Sequence, residues 1–353
     1  SFVGCSGPTN KERMRNPGNG RVRRQHFRDE PAPAFQIGFH QKKNPREWQY
    51  ESLQSLHCYK AMEMKNPAGP TIPQDHQGRF FTASDGTRIF LYDHQPADLY
   101  RATIFLIAGI TGINHHGEKD LIDLLSNGQH RVVVIHPRGT GYSEGKRGAL
   151  SRFDLLLDDL VEIITDDEDQ QAVFLFGHSM SCAVLTAIAG QLEGIRGAIL
   201  VNPPYVLKKS KGMSPSWGDY IKYAWHALFA RHKPIVNMAG NPDLIENEED
   251  LEESRARIKD PLLVRYFSLY MMTAVNKLLK SMPKHAKAAD YPLLLLQGTE
   301  DNIVDPKGAE AIFNAWKCKE KEFHLVEGGS HGKSTVLLSR RIINEWMASK
   351  MGN

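Results

Sequence analysis

Residues 171–189 read QAVFLFGHSMSCAVLTAIA, an apolar run that ends in glycine and continues into an Ala- and Leu-rich segment. The apolar run predicts a buried parallel strand, and the following segment predicts a helix packed against the same sheet. Ser179 then lies at the sharp corner between strand and helix, where a serine hydroxyl is held above the sheet. Small residues on both sides, Gly177 and Ser181, let the strand and helix approach closely. This stretch therefore predicts an α/β fold with a candidate nucleophile.

Two later apolar runs end in the residue types that activate a serine. Residues 293–301 read LLLLQGTED and end at a carboxylate, Asp301, while residues 322–332 read EFHLVEGGSHG and place His331 in a glycine-rich loop. Open parallel sheets bind ligands beyond the carboxyl ends of their strands, so we expect the three side chains at one edge. The order Ser, Asp, His predicts that Ser179 is the nucleophile, His331 its base and Asp301 the acid that orients His331.

Two neighbouring residues compete for these roles. Asp305 lies on the same loop as Asp301, but Asp301 is closer to the strand end, and Asp305 followed by proline is typical of a helix N-cap. His324 lies within a predicted strand, whereas His331 lies in a loop. Asp301 and His331 are therefore preferred, and Asp305 remains the alternative acid.

The motifs resemble those of the α/β-hydrolase superfamily, and most closely its monoglyceride lipase and lysophospholipase branch, which is similar to the S33 serine aminopeptidases. The resemblance extends from roughly Gly78 to Lys350. Residues 136–145, HPRGTGYSEG, resemble the D-x-x-G-x-G-x-S-x-G loop of this branch, with His136 in the place of Asp. Residues 105–112, FLIAGITG, form a strand and glycine turn where the family commonly has H-G-x-G, with Ala108 in the place of His.

The resemblance implies an α/β-hydrolase fold, with a mostly parallel, doubly wound sheet. It also implies an oxyanion hole made by the backbone N–H groups of Ile110 and Met180, with no metal or organic cofactor. The implied substrate is a carboxylic ester of a medium- or long-chain acyl group, with monoacylglycerol and lysophospholipid as the first candidates. A thioesterase, an acyltransferase, a peptidase and a non-catalytic binding protein that kept the fold remain alternatives, because a fold and a triad do not define the acyl acceptor.

A helical cap is predicted between about residues 205 and 289. Strand–helix alternation stops after the strand that ends near Val201, and the insertion is rich in aromatic residues and Met. Trp225 and Phe229 provide more apolar surface than one helix face needs, so they either fill the core of the cap or line a channel for an acyl chain. The family resemblance favours the channel. His178, beside the nucleophile, is a third candidate for substrate contact.

Composition limits the function classes. The chain has 353 residues, of which 41% are hydrophobic and 24% charged, so it can bury a large core. Its net charge of +3 is too small to indicate a nucleic-acid partner. No apolar stretch approaches the length of a transmembrane helix. The cysteines lack metal-ligand spacing, and Cys182 is expected to be buried and reduced.

Residues 1–75 form an N-terminal extension of the predicted catalytic domain, 76–353. The extension is rich in Gly, Pro, Asn and Arg up to about residue 44, which predicts a basic, flexible arm, and residues 46–65 predict a helix. Two interpretations of the arm remain open: a solvated tail, or peripheral contact with anionic lipid head groups. Residues 2–7, FVGCSG, resemble the end of a bacterial lipoprotein signal peptide. That resemblance predicts a membrane-associated lipoprotein lipidated at Cys5; without lipidation, a cytoplasmic protein is expected.

Overall fold

The structure, a computed structural model, describes residues 78–97, 99–110, 115–167, 171–208, 217–238, 251–252, 255 and 258–351, and only the backbone of 115–118 and 217–221. These residues belong to one unit of the chain, Glu63–Asn353. The predicted N-terminal extension, including Cys5 and the helix expected at 46–65, lies outside the described residues.

The apolar runs of the sequence form the strands of a central sheet. The strands, including a separate pair β7 and β8, are β1 (Gly78–Thr82), β2 (Arg88–His94), β3 (Ala102–Ile107), β4 (His130–Ile135), β5 (Ala172–His178), β6 (Ile195–Val201), β7 (Pro234–Asn237), β8 (Tyr266–Ser268), β9 (Leu293–Gly298) and β10 (Lys321–Val326). The sheet order is β1-β2-β4-β3-β5-β6-β9-β10. Among the described strands of this sheet, the pairs β1–β2 and β2–β4 are antiparallel. The other six strands pair parallel with their neighbours; they are β4, β3, β5, β6, β9 and β10.

Helices cover both faces of the sheet. They are α1 (His115–Ser126), α2 (Asp154–Thr165), α3 (Met180–Ile188), α4 (Trp217–Phe229), α5 (Leu269–Ala286), α6 (Pro306–Ala315), α7 (Ser334–Leu338) and α8 (Arg340–Met351). Buried side chains of α2, α3, α5 and α6 form one core with one face of the sheet. Those of α1, α7 and α8 form a second core with the other face. Because apolar residues face both ways along β3, β4 and β9, these strands are buried on both sides, whereas the edge strand β10 is partly exposed. The predicted mostly parallel, doubly wound sheet is confirmed.

The insertion between β6 and β9 differs from the predicted helical cap. It contains helices α4 and α5, as expected for the helical cap predicted from about 205 to 289, and also two short strands, β7 and β8, which pair antiparallel and were not predicted. Tyr266 and Phe267, expected in a helix, lie in β8. The two strands are far apart in the sequence, and their pairing leaves no periodic signal in either segment.

Helix α5, the last part of the insertion, packs into the sheet's core. Met271, Val275 and Met282 are buried in the same cluster as Cys182 and Leu185 of α3. The predicted burial of Cys182 is therefore confirmed, and its thiol is free.

A buried ion pair holds the loop that follows β4. Arg138 donates to both carboxylate oxygens of Asp159, at 2.7 and 2.6 Å, and also to Asp85 in the β1–β2 turn, at 2.6 Å. Arg138 and Asp159 are both buried. Charge-assisted bonds of this bidentate kind are geometrically restrictive, so the loop is fixed against the neighbouring hairpin and helix α2.

The C-terminal segment forms two consecutive helices, α7 and α8, because the chain leaves helical geometry at Ser339. The Ser339 hydroxyl donates to the Thr335 carbonyl at 2.7 Å and so competes with the backbone for that acceptor. Among the described residues, no helix is both long and apolar enough to cross a membrane.

Candidate active site

Ser179 lies at a strained corner between β5 and α3. Its backbone has φ 54° and ψ −121°, in a region that non-glycine residues rarely adopt. The Ser179 N–H donates to the Val201 carbonyl at 2.9 Å, and the Ser179 carbonyl accepts from Cys182 N–H at 2.9 Å. A Cβ on Gly177 would lie 2.9 Å from Leu185 Cδ1 and 3.1 Å from the Cys182 nitrogen. Glycine at 177 therefore allows the helix to pack against the strand.

The side chains of Ser179, His331 and Asp301 form a continuous hydrogen-bonded chain. Ser179 Oγ lies 2.8 Å from His331 Nε2, and His331 Nδ1 lies 2.8 Å from Asp301 Oδ2. Because an ionised carboxylate only accepts hydrogen bonds, Nδ1 carries the proton. Nε2 is then the acceptor for the serine hydroxyl. The structure thus brings together the three residues predicted from the sequence, in the geometry in which His331 can remove the Ser179 proton.

The environment of Asp301 keeps its carboxyl group ionised. Burial opposes ionisation, but the hydrogen bond from His331 and those from the backbone N–H groups of Val304 and Ile303 outweigh it, so the pKa of Asp301 lies below its usual value. Both backbone N–H groups donate to Oδ1 at 2.8 Å. A third side chain, the fully buried Gln297, donates to Oδ2 at 3.4 Å. Gln297 is not among the site residues predicted from the sequence, because an amide at a strand end has no distinctive pattern.

The two competing residues have other contacts. Asp305 is the N-cap of α6, its carboxylate accepts from Lys307 N–H at 3.0 Å, and Pro306 occupies the first helical turn. The interpretation of Asp305 as a helix cap is therefore confirmed. His324 lies in strand β10, as predicted, with Nε2 3.3 Å from a Glu322 oxygen.

Of the two predicted oxyanion donors, Met180 directly follows Ser179, and Ile110 follows strand β3. Met180 begins helix α3, so its N–H is in the first turn, where a helix has no internal acceptor. Ile110 follows β3, and its side chain is buried. The turn before it is held by a 3.0 Å hydrogen bond from Ala108 N–H to the Ile135 carbonyl. Residues 111–114, which continue this loop, lie outside the described residues.

His178 has a different contact from the substrate contact that was predicted. Its Nε2 lies 2.8 Å from the His331 carbonyl oxygen, and because a carbonyl only accepts, Nε2 carries a proton and donates it to this bond. Burial and the nearby His331 lower the pKa of His178 to about 4, so the ring is neutral near pH 7. His178 thus holds the backbone of the loop that carries His331, and the Nε2–H of His178 is not available to a substrate.

Trp225 and Phe229 lie on the surface of α4. They are 55% and 72% exposed, and their ring centroids are 5.6 Å apart. The alternative in which they fill the core of the cap is therefore wrong. Phe229 also lines a surface cleft of about 500 Å³, together with Lys146 and residues 230–234. Their contact with an acyl chain remains a proposal.

The family model described as serine aminopeptidase, S33 (Hydrolase_4) matches residues 100–333, which include Ser179, Asp301 and His331. The chain belongs to this family. The resemblance to the α/β-hydrolase superfamily and its monoglyceride lipase branch is confirmed.

Relatives in this family include monoglyceride lipases. The chain is 26% identical to the monoglyceride lipase of Mus musculus over 257 residues, which cover 70% of this chain and 81% of the relative. A soluble variant of the Saccharomyces cerevisiae monoglyceride lipase, solved with a substrate analogue, has a TM-score of 0.63 at 19% identity and matches 82% of this chain and 99% of that one. Paleococcus ferrophilus monoacylglycerol lipase has a TM-score of 0.59 at 24% identity and matches 74% and 99%. These two structures show that the chain has the α/β-hydrolase fold.

The lowered pKa of His178 predicts a stability that depends on pH. A histidine in an unfolded chain has a pKa of about 6.5, so the unfolded state takes up the proton first as the pH falls. We expect the free energy of unfolding to decrease between about pH 6.5 and about pH 4, in part because of His178. His178→Gln removes this titration and should flatten the decrease, as measured by urea unfolding across that range. His324→Gln, on edge strand β10, is the matched control. An unchanged slope in His178→Gln would contradict the prediction.

Proposed function

We propose that the protein is a serine ester hydrolase that cleaves medium- or long-chain acyl esters, with monoacylglycerol as its substrate class. The observation that carries the proposal is the hydrogen-bonded chain from Ser179 Oγ through His331 to Asp301, with both distances at 2.8 Å. The substrate class is supported by the monoglyceride lipases among the relatives. A non-catalytic binding protein has no physical need for all three side chains in this arrangement.

The proposed reaction proceeds through an acyl-enzyme. His331 Nε2 accepts the Ser179 proton as Oγ attacks the ester carbonyl, and Asp301 stabilises the imidazolium that forms. The imidazolium then donates its proton to the departing alcohol oxygen, which leaves the acyl group on Ser179. Water, deprotonated by the same His331, attacks the acyl carbonyl and releases the fatty acid and free serine.

The backbone N–H groups of Ile110 and Met180 are the proposed oxyanion donors. In the tetrahedral intermediate, the carbonyl oxygen becomes negatively charged beside the first turn of α3, where the helix dipole also favours an anion. A preorganised donor in such a site contributes about 3 kcal/mol to transition-state stabilisation. Main-chain donors suffice for this role, which agrees with Ala108 in the place of the family's histidine.

The first prediction tests the nucleophile and the substrate class together. A fluorophosphonate probe should label the wild-type protein and fail to label Ser179→Ala. Hydrolysis of monoacylglycerol should fall by about 10⁴-fold or more in this variant, because the proposed reaction forms its covalent intermediate on this hydroxyl. Circular dichroism and thermal unfolding serve as the control for folding. Wild-type turnover by Ser179→Ala would overturn the assignment.

A substrate panel separates the alternatives within the family. It contains monoacylglycerol, lysophospholipid, an acyl thioester and aminoacyl amides, the last because the family model is named for an aminopeptidase. We expect the highest kcat/KM for monoacylglycerol. A protein that is labelled by fluorophosphonate but prefers the amides or the thioester would retain the nucleophile and reject the proposed substrate. A protein that is not labelled would be a binding protein.

The second prediction compares Asp301 with Asp305, the two candidate carboxylates on the loop that follows β9. Asp301→Asn should lower kcat by about 10⁴-fold, because an amide at this position no longer selects the tautomer with a proton on Nδ1. Asp305→Asn is the matched control. Asn is also a good N-cap residue, so this variant should retain both activity and stability. A larger loss of kcat in Asp305→Asn than in Asp301→Asn would transfer the role to Asp305.

The third prediction concerns the exposed aromatic residues of α4. We propose that Trp225 and Phe229 contact the acyl chain. Each methylene that they bury contributes about 0.8 kcal/mol, so the loss of kcat/KM in Trp225→Ala and Phe229→Ala should grow with acyl length across p-nitrophenyl esters. Leu325→Ala, at an exposed apolar position on β10, is the control and should show no dependence on length. Equal losses for acetate and long-chain esters would contradict a substrate contact.

A further inference from the structure

Asn202 occupies the position between the nucleophile strand and the acid strand. It directly follows β6, which lies between β5 and β9 in the sheet. The residue is fully buried and its backbone has a φ of 50°, in the left-handed region. Its own N–H donates to the Leu296 carbonyl of β9 at 2.9 Å. Asn tolerates left-handed geometry better than most residues, but that tolerance does not require a buried side chain.

The Asn202 side chain joins two loops through both halves of its amide. Oδ1 accepts from Gly298 N–H at 2.9 Å, at the end of the acid strand. Nδ2 donates to the Ser330 carbonyl at 3.0 Å, in the residue just before His331. These bonds need one acceptor and one donor on a short side chain, and the Asn amide provides both on separate atoms. The structure has little room for adjustment here, since a Cβ on Gly298 would lie 2.2 Å from the Gly329 carbonyl oxygen.

The same short stretch of backbone also fixes the nucleophile. The carbonyl of Val201, the preceding residue, accepts the Ser179 N–H at 2.9 Å. The end of β6 therefore forms hydrogen bonds to the backbone of Ser179 on one side and to Gly298 and Ser330, before Asp301 and His331, on the other. A displacement of the Ser330 carbonyl would move His331 relative to both of its partners. Misplacement of a reacting group by about 1 Å can lower a rate by about 100-fold.

We infer that Asn202 is a positioning residue for His331, which acts by holding the Ser330 carbonyl and the Gly298 N–H at a fixed separation. The inference rests on the proposed function, because it concerns the proton transfer from Ser179 to His331. It assigns Asn202 no contact with the substrate.

Two substitutions separate the side-chain contacts from the backbone geometry. Asn202→Gly removes the amide and accepts the left-handed φ without strain. Asn202→Asp keeps the shape and the acceptor for Gly298 N–H but replaces the donor to the Ser330 carbonyl. Asn127→Gly is the matched control, because Asn127 also has a left-handed φ, of 43°, and is exposed in the α1–β4 turn.

The readouts are steady-state kinetics and fluorophosphonate labelling of the full chain. We expect Asn202→Gly to lower kcat by about 10- to 100-fold with KM within about twofold of wild type. Labelling should be slower but should reach the same number of labelled sites per chain. A purely structural role would instead reduce the number of labelled sites and leave their rate unchanged. Asn127→Gly should match wild type in both measurements.

Each other outcome overturns the inference. Wild-type kcat in a folded Asn202→Gly would show that the amide does not position His331, and fewer labelled sites at the wild-type rate would assign it a structural role. Wild-type kcat in a folded Asn202→Asp with an ionised carboxylate would show that the bond donated to the Ser330 carbonyl does not position His331. If this variant does not fold, Asn202→Gly alone decides. Failure of the wild type itself to label would instead overturn the proposed function, so the two failures are distinguishable.

Discussion

The candidate site depends on the left-handed backbone of Ser179. A non-glycine residue in such a conformation costs of the order of 1–3 kcal/mol, so the surrounding structure must impose it. Here the imposing contacts are the hydrogen bond from Ser179 N–H to the Val201 carbonyl and the close packing of α3 on Gly177. The strain has a function, because it directs Oγ away from the sheet and towards His331. If the corner relaxed, the hydroxyl would lose its 2.8 Å contact with Nε2.

The parallel sheet supplies the rest of the geometry by aligning strand ends. β5, β6 and β9 are neighbours and run in the same direction, so Ser179, Asn202 and the Asp301 loop emerge at one edge. The loop of His331 follows β10, the next strand. Side chains at the ends of β5 and β6 contact two consecutive carbonyls of that loop: His178, the last residue of β5, binds the carbonyl of His331 itself, and Asn202, just after β6, binds the one before it. The imidazole is thereby oriented through its backbone as well as through Asp301.

The sequence predicts the reacting groups better than the groups that hold them. Ser179, Asp301 and His331 each follow an apolar run, and each has a chemistry that marks it as a candidate. Asn202 also follows an apolar strand, but its partners are backbone groups far along the chain, and a neutral amide has no such mark. For the same reason the strand pair β7–β8 was missed, because pairing between distant segments leaves no local period. Sequence patterns indicate local conformation and composition, whereas the residues that hold the reacting groups in place are determined by tertiary contacts.

Two side chains that depart from the family pattern, Ser181 and His136, form hydrogen bonds with backbone groups. Ser181, in the place of the commoner glycine, accepts from His178 N–H at 2.9 Å and donates to the His178 carbonyl at 2.7 Å, so its hydroxyl closes the turn that glycine would leave open. His136, in the place of aspartate, is buried, and its Nδ1 accepts from Tyr142 N–H at 3.2 Å, as a carboxylate oxygen would. In both positions the backbone group retains a partner, which avoids the penalty of about 1–3 kcal/mol for an unsatisfied buried group. In this chain the side chains of Ser181 and His136 therefore satisfy backbone groups of their own loops.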